Sequence, residues 1–363
     1  MKLVVDAMCA EYGGIRTYVE QLLGQWSAVF PEDELHVVVP RGSTLPTEGH
    51  TRHELPVARP TVVGRPWAQT TRMRRLVRSL QPDAVLATAP TTTVLPLAAP
   101  MTVVVLDLRH ELRPEQFSAG RRLLRNVSYG RTYRLAAGFL AISQRSLDDL
   151  HDLHPVTRDK PGAVAYLGAD HVHTWPAPSR SGAAVAFAHH TNKNPDLVLD
   201  AWQLLEQRGV APALTILGVG ARRAELEAEL ERRGLAGRVT LAPFLPDAEF
   251  QQVCAGAELI VFPSDFEGFG LPIVEGLALG KPVVIGPEKA SLEVAGGHAT
   301  VMADWTPAAL ADSVVAARGL SEQEIEAARA WADAFTWEAT IRKTRQAVSG
   351  IDLRWDRRHA PET

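Results

Sequence analysis

Phe262-Pro-Ser-Asp-Phe-Glu-Gly-Phe-Gly-Leu-Pro-Ile-Val-Glu-Gly-Leu-Ala-Leu-Gly-Lys-Pro-Val-Val-Ile-Gly286 reads as a strand end, a glycine loop, a helix and a second strand. The apolar run 259–262 is of buried-strand type, and Pro263 with Ser264 ends it before a loop that holds Gly268 and Gly270. A helix is expected from Pro272, because a proline in the first turn lacks only an amide that has no intrahelical partner; Gly280 and Pro282 supply the stop. Residues 283–285 make the next strand. Strand, loop, helix and strand within about 30 residues form a right-handed parallel unit, whose ligand crevice lies beyond the carboxyl ends of the strands.

Glycines at 268 and 270 let the backbone come close to a ligand, and the open amides of the helix start attract an anion such as a diphosphate. Glu267 stands in that loop, and Glu275 is placed in the first helical turn. Two carboxylates beside an anion site repel the anion unless they face something else, and sugar or ribose hydroxyls are natural partners. The alternative is that Glu275 complements the helix dipole and Glu267 is solvated. The stretch by itself leaves both readings open.

Glu267-Gly-Phe-Gly-Leu-Pro-Ile-Val-Glu275, followed by Gly-Leu-Ala-Leu-Gly-Lys-Pro-Val-Val, resembles the Glu-x7-Glu signature of glycosyltransferase family 4, retaining enzymes of the GT-B fold. The resemblance implies an α/β protein of two Rossmann-like domains, their parallel sheets facing across a cleft, that moves a sugar from a nucleotide diphosphate sugar to an acceptor hydroxyl. It implies Glu267 near the donor sugar, the backbone of Gly268, Phe269, Gly270 and Leu271 at sugar and phosphate, and Glu275 on the ribose.

The 363 residues are 46% hydrophobic and 22% charged, enough chain for two domains with separate cores. A formal net charge of −4 argues against a general nucleic-acid binder, so any anion site is local. Cys9 and Cys254 suggest neither a disulfide framework nor a zinc site, which fits a reducing compartment. Residues 2–5 are too short for a signal-peptide core, and no apolar run approaches the roughly 18 residues of a membrane span. A soluble, cytoplasmic protein without metal or cofactor is expected, its nucleotide sugar being a substrate.

Residues 3–6 read as the first strand, and behind Gly13-Gly14 the residues Ile15, Tyr18, Val19, Leu22, Leu23 and Trp26 recur at helical spacing. The glycine pair lacks the full dinucleotide pattern; the resemblance implies that Gly13, Gly14 and Arg16 belong to a loop that closes over the cleft. Five arginines from Arg65 to Arg78, and then Arg121, Arg122, Arg125, Arg131 and Arg134, suit basic helices on anionic membranes or against phosphorylated acceptors. A solvated helix face is preferred, because these stretches lack the large exposed apolar face of a membrane anchor. The strand 101–106 ends at Asp107, where the family has a His-Asp pair beside the reacting sugar. Here Leu106 takes the histidine position and His110 follows, so that Asp107, His110 or neither meets the donor.

Residues 168–182, with Pro176, Pro178, Ser179 and Ser181, read as linker. This sets an acceptor domain at 1–172 and a nucleotide-sugar domain at 173–345; the resemblance implies that 346–363, a helix end and tail, return towards the first domain. His171, His173, His189 and His190 are set aside as metal ligands, since no carboxylate or thiolate falls at ligand spacing, and the chain has no Asp-x-Asp pair. His189-His190-Thr191-Asn192-Lys193 stands where the family has a glycine, an Arg or Thr, and then Lys-Asn; Lys193-Asn194 is kept and the arginine is not. A lysine just before a helix is unfavourable for the dipole, which a bound phosphate would offset. Lys193 is therefore the candidate partner of the leaving diphosphate, with His189 beside it.

The expected partners are the nucleotide-sugar donor and a small-molecule, glycan or lipid-linked acceptor, without nucleic acid. Two other classes compete: a GT-B sugar-nucleotide epimerase with a buried base in place of the acceptor, and a catalytically idle sugar-nucleotide-binding partner, which the missing histidine and arginine would suit.

Overall fold

Two runs of alternating strand and helix, each with its own apolar core, organise the chain. The computed structural model describes residues 1–176 and 182–352. It divides into Met1–Gly168 with the chain from Thr336 onward, and Ala169–Phe335. Where the sequence sets the return to the first unit at 346, the whole final helix, Trp337–Asp352, belongs to that unit. Residues 177–181 of the expected linker, and the tail from 353, lie outside the described residues.

In the first unit β1 (Lys2–Asp6), β2 (Glu34–Pro40), β3 (Thr51–Leu55), β4 (Ala84–Ala87), β5 (Met101–Val105), β6 (Gly138–Ala141) and β7 (Gly162–Val164) form one parallel sheet in the order β3-β2-β1-β4-β5-β6-β7. Leu3, Val4 and Val5 are fully buried, as residues of a parallel strand covered on both faces are. The helix Gly13–Val29 turns Tyr18, Val19, Leu22, Leu23 and Trp26 inward, as their spacing requires. The basic stretches are helical: Thr61–Ala68, a π-turn Gln69–Met73 and Arg74–Leu80 in succession, and then Ala119–Leu135. Both edge strands escape the sequence patterns: β3, Thr-Arg-His-Glu-Leu, buries only Leu55, and β7 is three residues long.

In the second unit β8 (Ala184–Phe187), β9 (Leu214–Leu217), β10 (Val239–Ala242), β11 (Ile260–Phe262), β12 (Val283–Ile285) and β13 (Thr300–Val301) are ordered β10-β9-β8-β11-β12-β13, again parallel. Residues 260–285 supply β11, the helix Leu271–Ala278 and β12, with Ile260, Val261 and Phe262 opposite Val283, Val284 and Ile285. The helix begins at Leu271, so Glu275 falls in its second turn and the first turn carries no acidic residue. After β12 comes the helix Lys289–Ala295, which Glu288 caps by accepting from Ser291 N at 2.9 Å and Ser291 Oγ at 3.1 Å. Glutamate is not among the favoured caps, which hides the start from pattern reading.

The final helix closes the first unit. Trp337 is fully buried with its ring 6.4 Å from that of Tyr18, and Thr340 Oγ1 donates to Tyr166 O at 2.6 Å. Arg345 then grips Asp33, whose side chain has no exposed surface, at 2.8 Å and 3.0 Å. Burial alone would raise this carboxyl, but the hydrogen bonds and charges of Arg345 and of the Met1 ammonium, 2.9 Å from Asp33 Oδ1, outweigh it and hold it below the usual value. Removing the guanidinium with Arg345→Met is expected to cost about 2 kcal/mol, the worth of a partly screened hydrogen bond to a charged group, read from urea unfolding. Because the folded carboxyl titrates below its unfolded value, the difference from wild type is present above about pH 4 and shrinks as pH falls through the folded value.

Candidate active site

Strand order marks one position in each sheet. From β8 the chain builds β9 and β10 on one side, then crosses to build β11, β12 and β13 on the other. The loops leaving β8 and β11 therefore diverge and open a crevice at their carboxyl ends, the place where ligands bind in such sheets. The loop after β8 carries His189 to Asn194, and the loop after β11 carries Pro263 to Gly270.

These two loops are stitched together by side chains. Asn192 Nδ2 lies 2.9 Å from Ser264 Oγ, 2.8 Å from Phe266 O and 3.1 Å from Glu267 Oε1. Asp265 N donates to Asn192 O at 3.0 Å, and Asn194 Nδ2 to Pro263 O at 2.9 Å. Lys193 is 6% exposed; its ammonium pairs with Glu267 Oε1 and sits 4.1 Å above the centre of the Phe262 ring. Ser264 Oγ also reaches Glu267 Oε1. Two residues 74 positions apart, singled out separately in the sequence, are thus one ion pair.

Backbone conformation shapes the rest. Gly270 caps the helix Leu271–Ala278 at φ +93°, where a Cβ would stand 2.9 Å from Ile273 Cδ1, so only glycine fits. Gly218, at φ +75° just past β9, passes so near that a Cβ would stand 3.0 Å from His189 Cβ. Gly268 is buried, and the Phe269 side chain packs edge-on against Phe335 with ring centres 6.1 Å apart, which leaves its main chain as the part that can serve a ligand. Leu271 opens the helix. His189 is half-buried and its ring centre is 5.0 Å from that of His190.

Glu275 is buried and its Oε1 lies 3.2 Å from His171 Nε2. Beyond His171 a row of aromatic rings runs through Trp175, Phe250 and Phe187 to Phe262. A second-turn position lies outside the reach of the helix dipole, so the dipole reading of Glu275 loses its basis and a side-chain partner takes its place. His173 lies 3.8 Å from Asp333. Among the described residues no group of three or more His, Cys, Asp or Glu side chains is arranged to hold a metal ion.

The first unit has its own point of divergence, between β1 and β4. Asp6, the last residue of β1, is its floor: 3% exposed, it accepts from Thr92 Oγ1 at 2.6 Å, Gln69 Nε2 at 2.7 Å and Met8 N at 3.2 Å. Burial pushes its carboxyl up to about 6, against the pull of these hydrogen bonds and of Arg65. Gln69 belongs to the π-turn, a local distortion often found at functional sites, and its buried Oε1 has no hydrogen-bond partner among the described residues. Neither residue stands out in sequence; an acid closing a first strand was the available signal. Gly13, at φ +67°, opens the first helix together with Gly14, and Arg16 holds Thr44 Oγ1 at 3.0 Å. Asp107 is half-buried and accepts from Arg109 N at 2.9 Å. His110 is 1% exposed against the edge of Tyr129, and burial pushes its imidazole down to about 4.

Sequence models match both units. One described as Glycosyltransferase Family 4 covers residues 12–173, and one described as Glycosyl transferases group 1 covers residues 182–318. The D-inositol 3-phosphate glycosyltransferase of Segniliparus rotundus is 32% identical over 200 residues, covering 50% of this chain and 41% of that protein. The O-antigen chain mannosyltransferase B of Escherichia coli is 34% identical over 159 residues, 42% of this chain and 41% of that one. The matches therefore span about two fifths of the length of these curated relatives. Among solved structures, HepE of Anabaena in complex with UDP-glucose superimposes with a TM-score of 0.76 at 18% identity, covering 96% of this chain and 100% of its own. At that identity the likeness concerns the fold, which is GT-B.

The raised Asp6 carboxyl sets a pH signature. A folded value near 6 against 3.8 means that the folded state holds its proton more tightly, so this contribution to stability is full below about pH 4 and is lost as pH rises through 6. Relative to Asp6→Asn, wild type is expected to lose about 3 kcal/mol of unfolding free energy between about pH 4 and pH 7, measured by urea titration of both proteins. A difference that stays flat with pH would mean the carboxyl titrates normally.

Proposed function

This chain belongs to glycosyltransferase family 4, and from that premise we propose that it is a retaining glycosyltransferase, moving a sugar from a nucleotide diphosphate sugar to an acceptor hydroxyl. The observation that carries the reading is the convergence of Lys193, Asn192, Ser264 and Glu267 at the point of divergence of the second sheet, beside the open amides of the helix Leu271–Ala278. A buried ammonium next to a helix start suits a diphosphate, and a carboxylate beside them suits sugar hydroxyls. HepE, the Anabaena neighbour, holds UDP-glucose, which supports a donor of this class.

In this mechanism the diphosphate takes Lys193 and the amides of Phe269 to Leu271, with His189 at its side. Glu267, relieved of part of its bond to Lys193, turns its acceptor oxygens to the sugar. Glu275 exchanges His171 for the ribose hydroxyls. As the anomeric carbon leaves the phosphate oxygen, the acceptor oxygen bonds to it from the same face, and the departing phosphate takes the acceptor proton. No protein base and no divalent metal are required. The acceptor is chosen by the first unit, through the Gly13 loop and the basic helices. The setting is the cytoplasm, which suits two free cysteines, Cys9 and Cys254. Among the described residues no helix is long and apolar enough to cross a membrane.

The test begins with binding. In a thermal-shift panel of nucleoside diphosphates the matching one, at 100 times its dissociation constant, is expected to stabilise the protein by about 2.7 kcal/mol, and Lys193→Ala to remove most of that gain. Silence across the panel would overturn the donor site.

Chemistry is read next. Lys193→Ala is expected to lower turnover about 100- to 1000-fold, the usual loss for one preorganised charge partner, while chelator leaves the wild-type rate unchanged. An alpha-linked donor is expected to give an alpha-linked product, read from the anomeric carbon–proton coupling. A beta-linked product would refute the same-face mechanism and leave the fold untouched.

A further inference from the structure

The two basic helical stretches of the first unit meet on one surface. Residues 55–82 and 116–147 contain twelve arginines and no aspartate or glutamate, in a chain whose formal net charge is −4. The loop after β4 ties them together: Val94 N donates to Thr70 Oγ1 at 3.1 Å, Val94 O accepts from Arg131 Nε at 3.2 Å, and Pro96 O accepts from Arg74 Nε at 2.8 Å. Large apolar side chains stand out along this seam. Leu123 is 67% exposed and Val127 64%, one turn apart on the helix Ala119–Leu135, with Leu95 on the loop and Trp67 one turn before Thr70 also exposed. Arg131 and Arg134 continue the Leu123–Val127 stripe, and they, Arg72, Arg75 and Arg121 are exposed and make no ion pair among the described residues. Beside the stripe a groove of about 660 Å³ is lined by Val94, Val127, Gly130, Arg131, Arg134 and His154 among others.

The sequence of these helices predicts a solvated face for want of an apolar one; the exposed seam supplies it. We propose that this face of the first unit docks on an anionic lipid bilayer, with Leu123 and Val127 entering the interface and Arg131 and Arg134 meeting lipid phosphates. A purely polar polyanion would use the arginines and leave exposed leucine, valine and tryptophan unexplained, whereas a bilayer surface uses both. The inference does not depend on the transfer reaction proposed above.

Vesicle flotation of the full chain tests it. Binding is expected to vesicles of phosphatidylcholine with about a third phosphatidylglycerol, to weaken with salt, and to be absent with phosphatidylcholine alone. Arg131→Gln and Arg134→Gln are each expected to lower the partition coefficient about fivefold, and the exchanges to lysine to restore most of it. Leu123→Ser with Val127→Ser is expected to lower it at least as much, with an unchanged melting temperature because both side chains are already in water. Equal binding to neutral vesicles, no binding at all, or retention of full binding by the Leu123 and Val127 variant would overturn the proposal. So would a concentration-dependent dimer that this variant dissolves without any loss of vesicle binding, since the seam would then cover a second copy.

Discussion

Oε1 of Glu267 accepts from the Lys193 ammonium and lies within hydrogen-bond reach of Asn192 and Ser264, and the geometry of the second unit's crevice follows from that convergence. Each group alone would be a liability. A lysine this buried without a carboxylate would be strongly destabilising, and a carboxylate between loops without donors would push them apart. Together they bind the two loops into a single rim. The same economy implies an order of events under the proposed chemistry: an anion that arrives at Lys193 weakens its hold on Glu267, so that phosphate and sugar recognition are coupled through one bond.

Much of this was legible beforehand, for reasons that can be traced to particular residues. Buried parallel strands are short apolar runs, so Leu3, Val4 and Val5 or Ile260, Val261 and Phe262 reveal themselves. The loop between Phe262 and Leu271 is legible because its glycines and proline have few other uses. Edge strands are different: β3 is polar on both sides because little covers it, and nothing in Thr-Arg-His-Glu-Leu distinguishes it from a loop. Partnerships across long separations are equally hidden. Lys193 and Glu267 could each be nominated, but that they bond to one another, that Asn192 holds both loops, and that His171 rather than the helix dipole attends Glu275, depend on how β8 and β11 lie side by side. A shift of a single residue in the helix start was enough to change the electrostatic meaning of Glu275.

The two sheets share a plan but not a chemistry. Where the second unit neutralises the partly buried Glu267 carboxylate with an ammonium, the first leaves Asp6 among hydroxyl, amide and main-chain donors, with the Arg65 charge as a modest aid. A carboxyl so placed is costly at neutral pH, and natural proteins retain such groups where the geometry they enforce matters. Asp6 binds the first residues of the loop that leads to Gly13, the π-turn of the basic helices and the loop after β4, so it ties three segments together at that crevice. His110, whose imidazole is shifted down by burial, is sealed against Tyr129 and packs as a neutral ring.

The path of the chain has a further consequence. The first unit begins at Met1 but is completed only by Trp337–Asp352, whereas the second lies wholly between Ala169 and Phe335, its entry and exit joined by Ala169 N donating to Phe335 O at 2.8 Å. The second unit is an insertion within the first. During synthesis, domains ordinarily fold in the order they leave the ribosome. Here the order is inverted at the finish: the inserted unit can close while the earlier one still lacks the helix that covers Tyr18 and brings Arg345 to Asp33. Until that helix emerges, the first sheet waits with an open apolar face, the state in which a nascent chain most needs a chaperone.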